Sequence, residues 1–301
     1  MVAAPGVSAD VQLPERVDVL VSDLHGVLPY LHGLVASIID ARDRFLVPGG
    51  VLVPRSESLW VACVEAPELH RRVTSPWSDN RYGLDMDAAR TLAANRWSRA
   101  VFDPAKLVSA AHRCGELDYA TVSSPDFDAV VTLEAARNAT THGLCVWFDS
   151  LLAEGIEFSN APGSRDLVYG NAYFPWPVSV SLEAGDHVEL RLRARPVAGE
   201  YLWTWDSRVV RGTEELARFR QSDFFSEPLD PALVRRHSEA HVPRLGEDGQ
   251  IDGLILELMG RSVSLGEIAR EIASRYPRRF PLWRDALSRV AELSVRYSRA
   301  T

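Results

Sequence analysis

The 301-residue sequence has only three cysteines, Cys63, Cys114 and Cys145, and they are far apart along the chain. Their small, odd number argues against the paired cysteines of a secreted, disulfide-stabilised domain. No group of histidines and cysteines has the spacing that a zinc site requires. We therefore expect three free thiols, no metal and a reducing, cytoplasmic location.

Long apolar runs and a signal peptide are missing as well. No run of about 20 apolar residues is available to cross a lipid bilayer. The first residues, MVAAPGVSADVQLPER, lack the charged start and apolar centre of a secretion signal. The hydrophobic content of 46% and the charged content of 25% are ordinary for a globular protein, and the length is sufficient for two domains.

Positive charge is scarce in most of the sequence. The net charge of −8 excludes a surface that grips nucleic acid on all sides, and nucleic acid is not an expected partner. Residues 261–301 differ, because nine arginines and four acidic residues give them a charge of +5 and leave −13 for the rest. Two interpretations stay open: oppositely charged partners for each part, or ordinary solvated faces.

The first predicted elements belong to an α/β sheet. Val17–Val21 is apolar at almost every position, which is typical of a strand buried on both faces of a parallel sheet. A helix is predicted over 33–46, a Pro-Gly-Gly turn at 48–50 ends it, and a second strand begins at Val51. This order is the ending of a nucleotide-binding sheet. No glycine-rich phosphate loop precedes Val17, and about 16 residues cannot hold a βαβ unit of about 30.

The middle of the sequence is typical of a β-barrel or sandwich. Short alternating strands are predicted at 58–64, 129–133, 142–152, 187–195 and 201–206. One helix interrupts them at 87–101, with Leu92 and Trp97 on its apolar stripe. His142 is expected to be a core histidine. Core positions are also expected for Trp147, Trp176, Trp203 and Trp205, although an aromatic cage for a methylated residue is an alternative.

A helical, winged-helix-like module is predicted over 212–301. The spacing from Ser264 to Glu267 matches a capping box, and Pro281 fits the start of a helix. A small hairpin is predicted before these helices at 241–251, with a Glu-Asp-Gly turn at 247–249.

Several motifs, in order, resemble those of the protein arginine methyltransferases, over roughly residues 10–210. The matching motifs are VDVLVSDLHGVLPYLHGLVASIIDARDRFLVPGGVLVP from Val17, Ser75-Pro76-Trp77, Tyr82-Gly83-Leu84-Asp85-Met86, Asp103-Pro104, Glu116-Leu117-Asp118, Thr141-His142-Gly143-Leu144 and Trp147-Phe148-Asp149. The resemblance implies an α+β fold with the β-barrel of this family.

The resemblance also divides the chain into parts. It implies a residual end of a Rossmann-type domain at 17–54 and a barrel at 55–211, with a helical dimerisation arm at about 84–112. A loose lead-in at 1–16 precedes them, and the winged-helix-like module follows. Through the arm the family forms dimers, so a homodimer is expected, although its ring would be lost or altered without a cofactor domain to receive the arm.

In this family two glutamates bind the arginine guanidinium bidentately and orient it for methyl transfer. They correspond to Asp23 and His32, which are therefore the candidate catalytic residues. His25, where the family has methionine, and Asn171, near the position of the family's Thr-His-Trp loop, are candidate substrate-binding residues. Two other interpretations stay open: Asp23 as a cap for local backbone N–H groups, and His32 as a polar residue lining a vacant cleft. Asp43 is expected to pair with a neighbouring arginine.

The functional expectation follows from these substitutions and from the missing phosphate loop. The chain is interpreted as a protein arginine methyltransferase-like protein, S-adenosylmethionine being the family's cofactor, that is inactive as this chain alone. The cofactor half would lie upstream in a longer product or come from a second chain. The alternative is a non-catalytic barrel and arm that bind a peptide or protein partner.

Overall fold

The computed structural model describes residues 11–23, 26–78, 83–164, 167–236 and 238–298. They form two compact units, Met1–Pro228 and Leu229–Thr301. The strands are β1 Val17–Val21, β2 Leu46–Val53, β3 Ser56–Val64, β4 Ser98–Ala100, β5 His112–Asp118, β6 Phe127–Glu134, β7 Ala139–Ala153, β8 Ile156–Ser159, β9 Asn171–Leu182, β10 His187–Val197, β11 Glu200–Arg211 and β12 Glu214–Ser222. The helices are α1 Leu34–Phe45, α2 Pro67–Ser78, α3 Asp87–Ala94, α4 Pro231–Arg236, α5 Glu247–Gly260, α6 Leu265–Arg275 and α7 Trp283–Tyr297.

The α/β segment consists of β1, α1 and β2. β1 pairs with β2 in parallel, as the sequence predicts, and α1 buries Leu34, Val35 and Ile38. The expectation that β1 is buried on both faces is wrong, because Val19 is 50% and Val21 is 70% exposed. The reason is that only two strands of this sheet lie among the described residues. β2 also begins at Leu46, so the Pro-Gly-Gly turn lies inside the strand.

Two antiparallel sheets form the body of the first unit. One has the order β4-β9-β7-β3-β5, with β8 paired to β7, and the other has the order β12-β11-β10-β6. Along β10, Val188, Leu190 and Leu192 are buried while the alternate residues face outward, because side chains of a strand alternate between the two faces. Both sheets contribute to one core. The four tryptophans are buried, which confirms their predicted core positions.

The arm helix is shorter than predicted. α3 ends at Ala94 rather than at 101, because Asn95 accepts a 2.9 Å hydrogen bond from the Ser222 backbone N–H and so returns the chain to the barrel. β4 then pairs with β9. The Trp97 ring stacks on Phe174 with centroids 5.8 Å apart, so it does not share a helical stripe with Leu92.

The barrel also continues beyond its predicted end. The sequence predicts helix after Gly212, but 214–222 forms β12, which pairs with β11 through a turn at Gly212 (φ +57°). Alternation of polar and apolar residues in this strand is weak, since Glu214 and Glu215 are both charged and Leu216 and Ala217 are both apolar. The strand is therefore hard to distinguish from a helix by periodicity alone.

The second unit is helical, as predicted. α5, α6 and α7 pack around Ile251, Ile255, Ile268, Ile272 and Val290. The Ser264–Glu267 capping box is present at the start of α6. The predicted hairpin at 241–251 is wrong, because 247–260 forms α5 and no strand lies in the described part of this unit. Ile251 and Ile255, one helical turn apart, are both buried, and this outweighs the turn propensity of the Glu-Asp-Gly sequence.

No helix within the described ranges is both long enough and apolar enough to cross a lipid bilayer.

Candidate functional site

The loop that follows β1 carries two of the candidate residues, Asp23 and His32, and is anchored between them. Tyr30 is 5% exposed and lies under the loop. Its ring contacts Phe127 at 5.1 Å, Tyr201 at 5.5 Å and Trp203 at 6.2 Å between centroids. These contacts seat the loop on the β12-β11-β10-β6 sheet. An aromatic anchor of this kind fixes the path of an otherwise irregular segment.

A single amide joins the same loop to the other sheet. The Asn160 side chain donates hydrogen bonds to the carbonyl oxygens of Val27 at 3.1 Å and Gly170 at 2.6 Å. Its carbonyl oxygen accepts from the Phe148 backbone N–H at 2.7 Å. Asn160 is 4% exposed, and these three bonds hold the loop, β7 and the segment before β9 together.

Three aromatic rings, Phe148, Phe158 and Tyr169, lie beside this junction and are called the aromatic triad below. Their centroids are 5.8 Å apart for Phe148–Phe158 and 6.1 Å for each of the other two pairs. Burial raises the pKa of the Tyr169 phenol, and the charges of Asp23 and Glu57 raise it further. The phenol therefore stays neutral at pH 7 and can donate a hydrogen bond.

Glu57 is the acidic residue that the sequence analysis missed. It lies on β3, is 1% exposed, and accepts hydrogen bonds from the Tyr119 hydroxyl at 2.9 Å and the Ser150 hydroxyl at 3.4 Å. Burial, and then the charge of Glu57, raise the pKa of Tyr119. A signal for it exists in the sequence, because residue 57 has the inward phase of β3 that is otherwise occupied by Leu59 and Val61.

His32 does not lie in an empty cleft. Its Nδ1 lies 2.8 Å from both carboxylate oxygens of Glu200, and both side chains are 67% exposed. Glu200 follows the β10–β11 turn, where Ala198 (φ +52°) and Gly199 (φ +88°) are left-handed, and His32 is left-handed as well (φ +47°). Sequence spacing could not reveal this pair, since 168 positions separate the two residues.

Asn171 occupies a structural position. It is 3% exposed, its side-chain oxygen accepts from the Phe102 backbone N–H at 3.0 Å, and its amide donates to the Asn160 carbonyl oxygen. A direct substrate contact by this side chain would require these bonds to break. His25 lies outside the described residues.

The remaining sequence expectations concern residues next to the site. Asp43 pairs with Arg42 at 2.8 Å, as expected. His142 is buried and accepts a hydrogen bond from the Ala66 backbone N–H at 3.2 Å, which confirms it as a core histidine. The described residues contain no group of three or more histidine, cysteine or acidic side chains able to hold a metal.

The described residues do not fit S-adenosylmethionine. A nucleoside-binding crevice requires a glycine-rich turn and neighbouring strands at the carboxyl edge of the sheet. Here the edge consists of β1 and β2 alone, and Val19 and Val21 expose apolar side chains there. No step of methyl transfer is therefore derived from these residues.

Known proteins similar to this chain share its barrel. Residues 55–201 match the family model described as the arginine methyltransferase oligomerization subdomain. The chain is 26% identical to protein arginine N-methyltransferase 1 of Schizosaccharomyces pombe over 65% of this chain and 59% of that protein. It is 27% identical to protein arginine N-methyltransferase 1 of Dictyostelium discoideum, over 62% of this chain and 54% of that protein. The chain thus spans about half the length of the curated relatives it matches.

Solved structures with the same fold include the Trypanosoma brucei PRMT1 enzyme-prozyme heterotetrameric complex with AdoHcy. The TM-score is 0.65 at 20% identity, over 72% of this chain and 71% of that one. Arabidopsis thaliana protein arginine methyltransferase 10 gives a TM-score of 0.62 at 20% identity, over 73% of each chain.

Proposed function

Because residues 55–201 match the arginine methyltransferase oligomerization subdomain, we propose that this chain recognises a peptide or protein through a cationic, arginine-type side chain. The side chain would bind beside Asp23 and the aromatic triad. One observation supports the proposal: the charges of Asp23 and Glu57 both raise the pKa of the Tyr169 phenol, whose ring stacks on Phe158. Carboxylates accept the paired donors of a guanidinium, and aromatic rings stack on its plane.

The proposal for this chain is recognition, with methyl transfer left to a part that binds S-adenosylmethionine. Asp23 would accept hydrogen bonds from one edge of the guanidinium. Tyr169, as a neutral phenol, would donate a hydrogen bond beside it. A second chain is one source of the cofactor part. The second candidate function is that of a barrel and arm that only bind a partner. The contact between His32 and Glu200 favours it, because His32 stands at the position of the family's second glutamate and is already paired.

Calorimetric titration with an arginine peptide, and with the same peptide carrying citrulline, tests the recognition. Citrulline keeps the shape of arginine but not its charge, so we expect the arginine peptide to bind roughly tenfold tighter or more, the effect of one charge-assisted hydrogen bond. Asp23→Asn should abolish this difference. Added S-adenosylmethionine should leave both affinities unchanged.

Glu214→Gln is the matched control, because it removes one negative charge at an exposed turn outside this site. It should behave as the unmodified chain. Equal affinity for the two peptides would show that this site does not recognise a guanidinium. An affinity that rises with S-adenosylmethionine would show that this chain binds the cofactor.

A further inference from the structure

The second unit carries an arginine–tryptophan surface that the proposed function does not use. It consists of Arg270 on α6, Leu282 just before α7, and Trp283 and Arg284 in the first turn of α7, and is called the 283 face below. The Arg270 guanidinium lies 5.0 Å and that of Arg284 5.8 Å from the centroid of the Trp283 ring. Leu282 is 63% and Trp283 is 36% exposed.

The two arginines of the 283 face differ from four others in this unit. Arg261, Arg275, Arg279 and Arg289 form ion pairs with Glu257, Glu271, Asp248 and Asp252. Arg270 and Arg284 form no ion pair with any residue that the structure describes. The neighbouring acids are engaged in caps: Glu267 bonds to Ser264, and Asp285 accepts from the Leu282 backbone N–H at 3.1 Å.

The indole holds both guanidiniums in place without using their hydrogen bonds. Stacking on an aromatic ring satisfies the flat face of a guanidinium and leaves its N–H edge free for a carboxylate. Because stacking restricts the side chain before binding, less conformational entropy is lost when a carboxylate pairs with it. The exposed Leu282 and the open edge of Trp283 add apolar area beside these donors.

We propose that the 283 face docks an acidic peptide segment in which carboxylates alternate with apolar side chains. The charge of residues 261–301, +5 within a chain of −8, favours an acidic partner at this stretch of the second unit. A peptide fits better than nucleic acid, because the exposed leucine offers nothing to a phosphate backbone and the remaining −13 repels a long polyanion.

Fluorescence anisotropy of the full 301-residue chain with a labelled 12-residue peptide of alternating glutamate and leucine tests this inference. Arg270→Gln combined with Arg284→Gln should weaken binding roughly tenfold or more, since two charge-assisted pairs are lost. Arg261→Gln combined with Arg275→Gln removes the same charge from arginines that are already paired, and should change the affinity less than about twofold. A peptide with glutamine in place of glutamate should bind weakly.

Three results would overturn the inference. Equal losses of peptide affinity in the two double variants would show that binding depends on net charge alone. Tighter binding of a single-stranded oligonucleotide of equal charge would make the surface a nucleic-acid site. Absence of peptide binding by the unmodified chain would remove the site altogether. Circular dichroism of each variant excludes unfolding of the helices as the cause.

Discussion

His70 and His142 face each other where α2 packs on the barrel, with ring centroids 5.3 Å apart. The Nε2–H of His70 donates to the Trp176 carbonyl oxygen at 3.0 Å, and Nδ1 of His142 accepts from Ala66. Burial lowers the pKa of both imidazoles, and for His142 the neighbouring His70 lowers it further. Each histidine is therefore favoured in its neutral form in the folded protein.

This arrangement predicts loss of stability in mild acid. The unfolded chain, whose histidines have a pKa of about 6.5, takes up protons before the folded one, so the free energy of unfolding should fall as the pH drops below about 6.5. His142→Asn keeps an acceptor for the Ala66 N–H without titrating, and should reduce this dependence. Urea unfolding at several pH values between 7.5 and 5 measures it.

The same series needs a control for other titrating groups. Burial raises the pKa of Asp223 to about 6, which contributes with the opposite sign, because its neutral form is favoured in the folded state. Asp223 is common to all variants, so the comparison isolates the histidine. His112→Asn, at an exposed histidine, should keep the full dependence. An identical pH profile for His142→Asn would refute the assignment.

At the scale of elements, the β10–β11 turn is the clearest case of local strain. Val197 pairs with Glu200, so Ala198 and Gly199 form a two-residue hairpin loop with positive φ at both positions. This conformation suits Asn-Gly, whereas an alanine in the left-handed region costs about 1 kcal/mol. The Glu200 that pairs with His32 is therefore held by a turn that its own sequence does not favour.

Ala198→Asn should raise the free energy of unfolding by roughly 0.5–1 kcal/mol, because asparagine tolerates the left-handed region. Thermal or chemical unfolding measures the change. Ala184→Asn is the matched control: Ala184 also precedes a glycine with positive φ, Gly185 at +90°, but is not itself left-handed. A gain at both positions, or at neither, would contradict the strain argument.

Elements whose cause is local were predictable from the sequence. α1 and the strands β3, β6, β7, β10 and β11 follow directly from apolar periodicity. The end of α3 was not predictable from the sequence, because it is determined by a hydrogen bond between Asn95 and Ser222, which are 127 positions apart. The same distinction divides the site. Asp23 and His32 were predicted from a contiguous motif, whereas the contacts of Glu57 and Glu200 arise only in the tertiary fold.

At the scale of the whole molecule, helices α2 and α3 form the surface for which we predict self-association. α2 and α3 pack together around an open cavity of about 450 Å³ lined by Val73, Pro76, Trp77, Ala89 and Leu92. A groove that is apolar on most of its walls is a docking surface for another chain. Because residues 55–201 match the arginine methyltransferase oligomerization subdomain, we expect self-association through α2 and α3.

Leu92→Asp should shift the chain to a smaller species in analytical ultracentrifugation, because a carboxylate in the groove loses hydration when a partner covers it. Leu229→Asp, at a leucine that is 61% exposed, should leave the association unchanged. A monomeric unmodified chain, or equal effects of both variants, would count against the arm as the interface.

The contacts that anchor the Asp23 loop determine when this loop can fold during synthesis of the chain. Residues 26–31 leave the ribosome before the groups that fix them, since Phe127, Asn160 and Tyr201 follow roughly 100–170 residues later. Contacts between such distant positions form late, because the intervening chain must first be closed into a loop. The loop of Asp23 is therefore not held in place until β11 has been synthesised. A ligand can bind at this loop only after that point.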